Sequence, residues 1–259
     1  FAARLPPSPA HRLVAAAAGE RLRHRRATMR PILLKGHERA LTKVMYNKDG
    51  DLLFSASKDN KPTVWYADTG VRLGTFNGHQ GTVWDLDVTH DSSRLLTASA
   101  DATVRLWDVR TGRELANYTH RGPVRAVAWA EGGEYFATAA EPFGRYPGQV
   151  AVYYCPAGAE EYDLLPIEGR MFEIPPEVRA AQLVWLNNNK ELLIAYDDGS
   201  LHILDAEFGE ELQCFKYHTA KVMDLQFSVD KTMIITASYD TSAKLIDATT
   251  FEVLQTYQT

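Results

Sequence analysis

Apolar and polar residues alternate in short segments along this chain, and turn-forming residues separate the segments. Between residues 83 and 118 the alternation predicts four strands, at 83–88, 94–98, 103–107 and 114–118. Thr111-Gly112 provides a tight turn between the last two. Because the segments are short and their connections are tight, we expect an antiparallel sheet in which each strand pairs with the next.

The same pattern returns with a period of 42 residues. Each copy begins with a Gly-His pair, has a Ser-x-Asp turn in its middle and places a tryptophan six residues after the aspartate. The matched positions are His37 and His79, Asp59 and Asp101, and Trp65 and Trp107. A regular period of this length with Gly-His and Trp-Asp marks is typical of a four-stranded β-propeller blade. We therefore predict an all-β fold, a WD-repeat β-propeller.

Three less regular copies follow the first two. The third carries an insert at 141–148 between its second and third strands, and a long segment at 156–177 follows it. One more strand, predicted at 31–34, precedes the first copy, and we expect it to complete the last blade and close the ring. The five predicted blades lie near 36–77, 78–119, 120–178, 179–216 and 217–259.

A Ser-His-Asp set recurs in three of the copies and has the residue types of a hydrolase triad. An enzyme does not build one active site in every structural repeat, so we expect a buried hydrogen-bond network and no catalytic residue. In this interpretation the aspartate accepts hydrogen bonds from the turn and from the histidine. The histidine is hydrogen-bonded to the serine, and the serine hydroxyl is hydrogen-bonded to the indole N–H of the tryptophan. The expected network residues are His37, Ser57, Asp59, Trp65, His79, Ser99, Asp101, Trp107, His218, Ser238 and Asp240.

The charge of the chain is unevenly distributed. The whole chain has a net charge of -5, yet residues 1–28 contain six arginines and one acidic residue, which leaves 22 basic against 32 acidic residues in the remainder. An acidic body lacks the basic surface that drives nucleic-acid binding, so no direct nucleic-acid contact is expected. We predict that residues 1–28 are a disordered or spurious extension before Met29; the alternative is an organelle targeting segment.

Several other site classes find no support in the sequence. The two cysteines, Cys155 and Cys214, are expected to be free thiols in a cytoplasmic protein. No apolar run approaches the length of a membrane-spanning helix, and no association with a membrane is expected. The sequence contains no phosphate-binding loop, dinucleotide motif or paired metal motif, so we predict neither a cofactor nor a metal.

Several phrases resemble one WD-repeat family, that of the i subunit of eukaryotic translation initiation factor 3. They are residues 30–39, 47–54, 72–79 and 236–245, together with the insert at 142–148. The resemblance covers approximately residues 29–259. It implies a ring of seven blades, whereas the sequence contains five and a leading strand. We therefore expect a truncated ring that lacks about two blades, or about 85 residues at this period.

The resemblance also implies a function. Members of this family are non-catalytic scaffolds that support assembly of the translation pre-initiation complex and recruitment of mRNA to the small ribosomal subunit. The implied partners are the b and g subunits of the factor, with the b subunit supplying a C-terminal helix to the propeller rim, and, indirectly, the ribosomal complex. Two alternatives remain at this point: another WD-repeat adaptor, either receptor-associated or a ubiquitin-ligase substrate receptor, and an enzyme that uses the central channel.

Overall fold

The computed structural model of the chain describes residues 31–156 and 166–258. The described residues from Leu34 onward belong to one compact unit. The predicted extension at 1–28 lies outside the described residues. Within the described ranges all regular secondary structure is β-strand, in agreement with the all-β fold predicted from the alternation.

In the described residues twenty strands form five antiparallel sheets of four strands, and each sheet pairs its strands in chain order. Each sheet is a propeller blade, numbered here from 1 to 5 along the chain. The strands are β1 (Leu41–Tyr46), β2 (Leu52–Ser57), β3 (Thr63–Tyr66) and β4 (Arg72–Thr75) in blade 1; β5 (Val83–Val88), β6 (Arg94–Ser99), β7 (Thr103–Asp108) and β8 (Glu114–Thr119) in blade 2; β9 (Val124–Trp129), β10 (Tyr135–Ala140), β11 (Gln149–Tyr154) and β12 (Pro166–Glu173) in blade 3; β13 (Ala180–Leu186), β14 (Glu191–Tyr196), β15 (Ser200–Asp205) and β16 (Glu211–Lys216) in blade 4; and β17 (Val222–Phe227), β18 (Met233–Ser238), β19 (Ser242–Asp247) and β20 (Val253–Gln258) in blade 5.

The hydrophobic core lies between the blades. Four clusters of buried apolar side chains each span two consecutive blades. In the first, Phe54 of blade 1 packs with Trp107 of blade 2, and in the last, Leu193 of blade 4 packs with Ile234 of blade 5. Because successive side chains of a strand point to opposite faces, an interior blade buries one set of side chains against each neighbour.

Blades 1 and 5 differ from the interior blades because one face of each is exposed. Val44 and Tyr46 on β1 are 52% and 60% exposed, and Met223 and Ile235 in blade 5 are 42% and 45% exposed. Ile234, the residue adjacent to Ile235, is fully buried against blade 4. These two blades therefore each bury one apolar face and present the other to solvent.

The predicted leading strand is absent from the structure. Residues 31–34 belong to no strand, and all four strands of blade 5 come from Val222 to Gln258. The prediction was wrong because β20 already pairs with β19 along its whole length, from Ser242 opposite Gln258 to Ile246 opposite Val253. The edge of blade 5 that the leading strand was expected to fill is thus occupied by the chain's own last strand.

Candidate functional site

Four side chains of blade 2 form a continuous line of hydrogen bonds. The indole Nε1 of Trp107 donates to Oγ1 of Thr97 at 2.9 Å, that hydroxyl lies 2.7 Å from Nε2 of His79, and Nδ1 of His79 lies 2.9 Å from Oδ2 of Asp101. An indole N–H can only donate and a carboxylate can only accept. With a neutral imidazole the protons run in one direction: His79 carries its proton on Nδ1 and donates it to Asp101, and Thr97 donates to Nε2.

This line ties together segments that are distant in sequence. His79 precedes β5, Thr97 lies on β6, Trp107 lies on β7, and Asp101 occupies the turn between β6 and β7. A side chain at Gly78 would meet the Arg105 guanidinium at 2.4 Å and the Trp107 ring at 3.0 Å, so the glycine before the histidine leaves room for these two side chains. In blade 2 the Gly-His pair and the tryptophan thus belong to one packed unit.

Asp101 also organises its own turn. Its carboxylate accepts from the backbone N–H of Gln80 at 2.9 Å and of Thr103 at 3.0 Å, and from the Thr103 hydroxyl at 2.6 Å. Burial opposes ionisation of this carboxyl, but the hydrogen bonds from His79, Thr103 and Gln80 outweigh it and hold the pKa of Asp101 well below its ordinary value. Asp101 is therefore ionised at neutral pH.

Blade 1 contains the same line with a serine in place of the threonine. Nδ1 of His37 lies 2.8 Å from Asp59, and Nε2 lies 2.7 Å from Oγ of Ser55. The Trp65 indole donates to the same Ser55 hydroxyl at 2.8 Å. As at Gly78, a side chain at Gly36 would meet the ring of its tryptophan, here at 2.7 Å.

Blade 5 contains the line without its tryptophan. Nδ1 of His218 lies 2.8 Å from Asp240 and Nε2 lies 2.9 Å from the Thr236 hydroxyl. Ile246 fills the position that corresponds to the tryptophan and is fully buried. The hydrogen-bonded core of the repeat therefore consists of histidine, hydroxyl and aspartate, and the indole is an addition in blades 1 and 2.

The structure differs from the sequence expectation at the hydroxyl. The bridging groups are Ser55, Thr97 and Thr236, each two residues before the expected serine. Two residues along a strand span about 6.6 Å, so the expected serines lie beside the turn and not beside the histidine and tryptophan. There the expected serines take other bonds: each accepts from the backbone N–H of its turn aspartate, at 3.1–3.2 Å, and two of them donate to a backbone carbonyl. These serines are Ser57, Ser99 and Ser238.

The irregular blades lack complete lines. In blade 3, Nε2 of His120 lies 2.9 Å from the Thr138 hydroxyl and 3.1 Å from the Tyr153 hydroxyl. The position 22 residues after His120 is Pro142, so no carboxylate is available. Burial lowers the pKa of His120 to about 4. His120 is therefore a neutral, half-buried imidazole at pH 7.

A charged cluster joins the innermost strands of three blades. Lys43 on β1 lies 3.8 Å from Asp85 on β5 and 3.0 Å from Asp224 on β17. Burial disfavours the ammonium, but these two carboxylates outweigh it and raise the pKa of Lys43. Burial raises the pKa of Asp85, whose Oδ1 has no hydrogen-bond partner. The ion pair with Lys43 is therefore the only charge compensation that the described residues give to this oxygen.

Asp87, two residues further along β5, lies at the wall of a cavity of about 970 Å³. Its carboxylate accepts from the backbone N–H of Trp129 at 2.7 Å and of Val88 at 2.8 Å. Burial raises the pKa of Asp87 to about 7, and the neighbouring Asp85 adds to this shift. The inner wall of the propeller thus carries one carboxyl that titrates near neutral pH.

One group of described residues has the ligand types of a metal site. His202 lies 2.7 Å from Glu211 through Nδ1 and 3.3 Å from the Cys214 sulfur through Nε2. Sequence spacing does not reveal this group, because His202 lies on β15 whereas Glu211 and Cys214 lie on β16, with His202 directly opposite Cys214. Burial and the neighbouring Glu211 raise the pKa of the Cys214 thiol, so at neutral pH the metal-free thiol is protonated. Both cysteines are free.

Among the residues that the structure describes, there is no helix of the length and hydrophobicity needed to cross a bilayer.

Comparison with known proteins places this geometry in a family. The EIF3I family model matches residues 29–259. Eukaryotic translation initiation factor 3 subunit I of Eremothecium gossypii is 38% identical over 89% of this chain and 68% of its own length. The proteins of the same name from Schizosaccharomyces pombe and Drosophila erecta are 39% and 37% identical over 89% of this chain, and over 70% and 71% of their own lengths. The chain thus spans about two thirds of these curated relatives.

A solved structure supports the fold. The β-propeller domain of Cps50 (Swd1) from Myceliophteria thermophila superposes with a TM-score of 0.71 over 88% of this chain and 75% of that domain, at 18% sequence identity. This similarity shows the propeller architecture alone. The family match across every blade, together with the recurring histidine-hydroxyl-aspartate lines, shows that the chain belongs to the EIF3I family of WD-repeat β-propellers.

Proposed function

We propose that this chain is a non-catalytic scaffold subunit of eukaryotic translation initiation factor 3. In this role it supports assembly of the pre-initiation complex and recruitment of mRNA to the small ribosomal subunit in the cytoplasm. The observation that carries the proposal is the match to the EIF3I family over residues 29–259, which includes all five blades. The relatives named above carry the name of a subunit of that factor.

The geometry of the repeated lines supports a structural rather than a catalytic role. The side chains of His79 and His218 are 0% exposed, and Ser57 and Ser99 are fully buried. A catalytic nucleophile and its base must meet a substrate in an accessible cleft. Hydrogen bonds that satisfy buried polar groups explain these residues without a substrate.

The partners that we propose are the b and g subunits of the factor. The outermost strands of the blades offer the surface for such contacts: β20 is exposed along its whole length and β16 along nearly all of it. The net negative charge of residues 29–259 disfavours direct binding to RNA. We therefore propose that the ribosomal complex is reached through the other subunits. Another WD-repeat adaptor, receptor-associated or in a ubiquitin ligase, is not favoured by the family match.

Affinity purification tests this proposal. The tagged chain and a tagged unrelated WD-repeat propeller, as a matched control, are expressed in the same cells, and the co-purified proteins are quantified by mass spectrometry. We expect enrichment of the b and g subunits with the chain and not with the control. Enrichment of receptor or ubiquitin-ligase components instead, with no initiation-factor subunit, would contradict the proposal and favour the other class of adaptor.

A further inference from the structure

The insert in blade 3 is a tight hairpin with an exposed tip. The backbone N–H of Phe143 donates to the carbonyl of Tyr146 at 3.0 Å, and that of Tyr146 donates back to Phe143 at 3.1 Å. Gly144, at φ 61°, and Arg145 form the two-residue turn between them. Phe143 is 62% exposed and Tyr146 36% exposed. A short hairpin thus presents two aromatic rings to solvent on an otherwise compact blade.

The base of the hairpin is held rigidly against blade 3. The Glu141 backbone N–H donates to the carbonyl of Pro123 at 2.7 Å, and the Glu141 carboxylate binds Arg125 at 2.7 Å. A side chain at Gly122 would come within 2.2 Å of the Glu141 carbonyl, so the two backbones are in direct contact there. At the other end, Gly148 accepts from the N–H of Ile174 at 2.8 Å. The tip is therefore displayed by an ordered support, which lowers the entropic cost of binding a partner.

Two guanidinium groups flank the tip. Arg121 lies 5.1 Å and Arg145 5.3 Å from the centre of the Tyr146 ring. In the described part of the chain neither arginine has a carboxylate within ion-pair distance, and Glu141 at the base of the hairpin pairs with Arg125. Among the described residues, two positive charges without a carboxylate partner thus lie against one exposed ring, on a body that is acidic overall.

From these features we propose that the hairpin tip is a docking site for an acidic peptide segment of a partner protein. Arginine, tyrosine and other aromatic residues carry most of the energy at protein interfaces. The guanidinium groups of Arg121 and Arg145 bind two carboxylates of the segment. The exposed ring of Phe143 packs against an apolar residue that lies between the two acidic residues of the segment. A short acidic segment fits this small basic patch, whereas a long polyanion such as RNA would also meet the net negative charge of the rest of the body.

Selection from a library tests the site without assuming a partner sequence. The full 259-residue chain is immobilised, and a phage library of random twelve-residue peptides is panned against it. We expect the enriched peptides to be rich in Asp and Glu and to contain an aromatic residue or leucine. A fluorescein-labelled enriched peptide should then lose at least tenfold in affinity when Arg121→Glu and Arg145→Glu are combined, as measured by fluorescence anisotropy.

A matched charge reversal separates the tip from general electrostatics. Arg110→Glu combined with Arg113→Glu changes the same charge at the exposed turn between β7 and β8 and should alter the affinity less than twofold. Phe143→Ala should weaken binding without any change of charge, and the melting temperature of each variant reports its folding. The proposal is overturned if no acidic peptide is enriched, if both double variants behave alike, or if a labelled uridine oligonucleotide binds the tip more tightly than the enriched peptides.

Discussion

The ammonium of Lys43 lies 3.0 Å from the carboxylate of Asp224, a residue 181 positions later in the chain. This contact joins β1 to β17 and therefore the first blade to the fifth. Lys43 also faces the buried carboxylate of Asp85 in blade 2. One side chain thus links three blades at the centre of the propeller.

Replacement of Lys43 should be strongly destabilising. In Lys43→Met the buried Asp85 loses its counter-charge, and we expect the free energy of unfolding to fall by about 2–4 kcal/mol, because an unpaired buried charge remains. Urea unfolding at pH 7 measures this change. Lys48→Met, at an exposed lysine of the same blade, should change the stability by less than about 0.5 kcal/mol. Equal effects of the two substitutions would show that the central cluster has no special role.

The two hydroxyls of β6 should contribute unequally to stability. Thr97→Val removes the acceptor of the Trp107 indole and the donor to His79, which leaves two buried groups unpaired and should cost about 2–4 kcal/mol. Ser99→Ala removes one bond from a backbone N–H and should cost about 1 kcal/mol. Thermal and urea unfolding of both variants measure the difference. A larger loss of stability in Ser99→Ala than in Thr97→Val would indicate that Ser99, and not Thr97, bridges His79 and Trp107.

His120 should make the protein less stable in weak acid. Its pKa is about 4 in the folded chain, below the ordinary histidine value of 6.5, so the unfolded chain binds the proton first as the pH falls. Stability from this group is therefore present above pH 6.5 and is lost between pH 6.5 and 4, by at most roughly 3 kcal/mol. Urea unfolding from pH 7 to pH 4.5 should show a smaller loss in His120→Gln than in the wild type. Parallel curves would contradict an imidazole that is neutral in the folded protein.

Asp87 should have the opposite pH dependence. Its folded pKa of about 7 lies above its ordinary value of 3.8, so the folded chain holds the proton more tightly. The stability from this group is fully present below pH 3.8 and is lost as the pH rises through 7. Asp87→Asn, which keeps one acceptor oxygen, should therefore gain about 1–3 kcal/mol relative to the wild type between pH 5 and pH 8. A relative stability that is constant over this range would count against a carboxyl that titrates near neutrality.

The exposed faces of blades 1 and 5 should cause self-association of the 259-residue chain. Val44 and Ile235 lie on strands whose other side packs against a neighbouring blade, and exposed apolar sheet surface promotes aggregation. Sedimentation velocity at increasing concentration should show oligomers or strand-exchanged dimers, and Val44→Lys with Ile235→Lys should reduce them. A monodisperse wild-type monomer that melts cooperatively would be inconsistent with this expectation.

The sequence predicts the blades well because their strands have a strict alternation and tight turns. In blade 2 the predicted strand at 94–98 differs from Arg94–Ser99 by one residue. The bridging hydroxyl was misplaced, because sequence spacing does not reveal whether Thr97 or Ser99 lies beside the Trp107 ring. The contact between Lys43 and Asp224 was not predicted either. It depends on how far the ring of blades turns between β1 and β17, and no local pattern encodes that angle.

Each core cluster of this propeller belongs to two blades and to neither alone. A single blade of four strands therefore encloses no core of its own, and the smallest unit that can exclude water is a pair of neighbours. In such a chain of coupled units, stability is a sum over junctions rather than over repeats. Among the described blades, each interior blade shares a core cluster with two neighbours, whereas each terminal blade shares a core cluster with one.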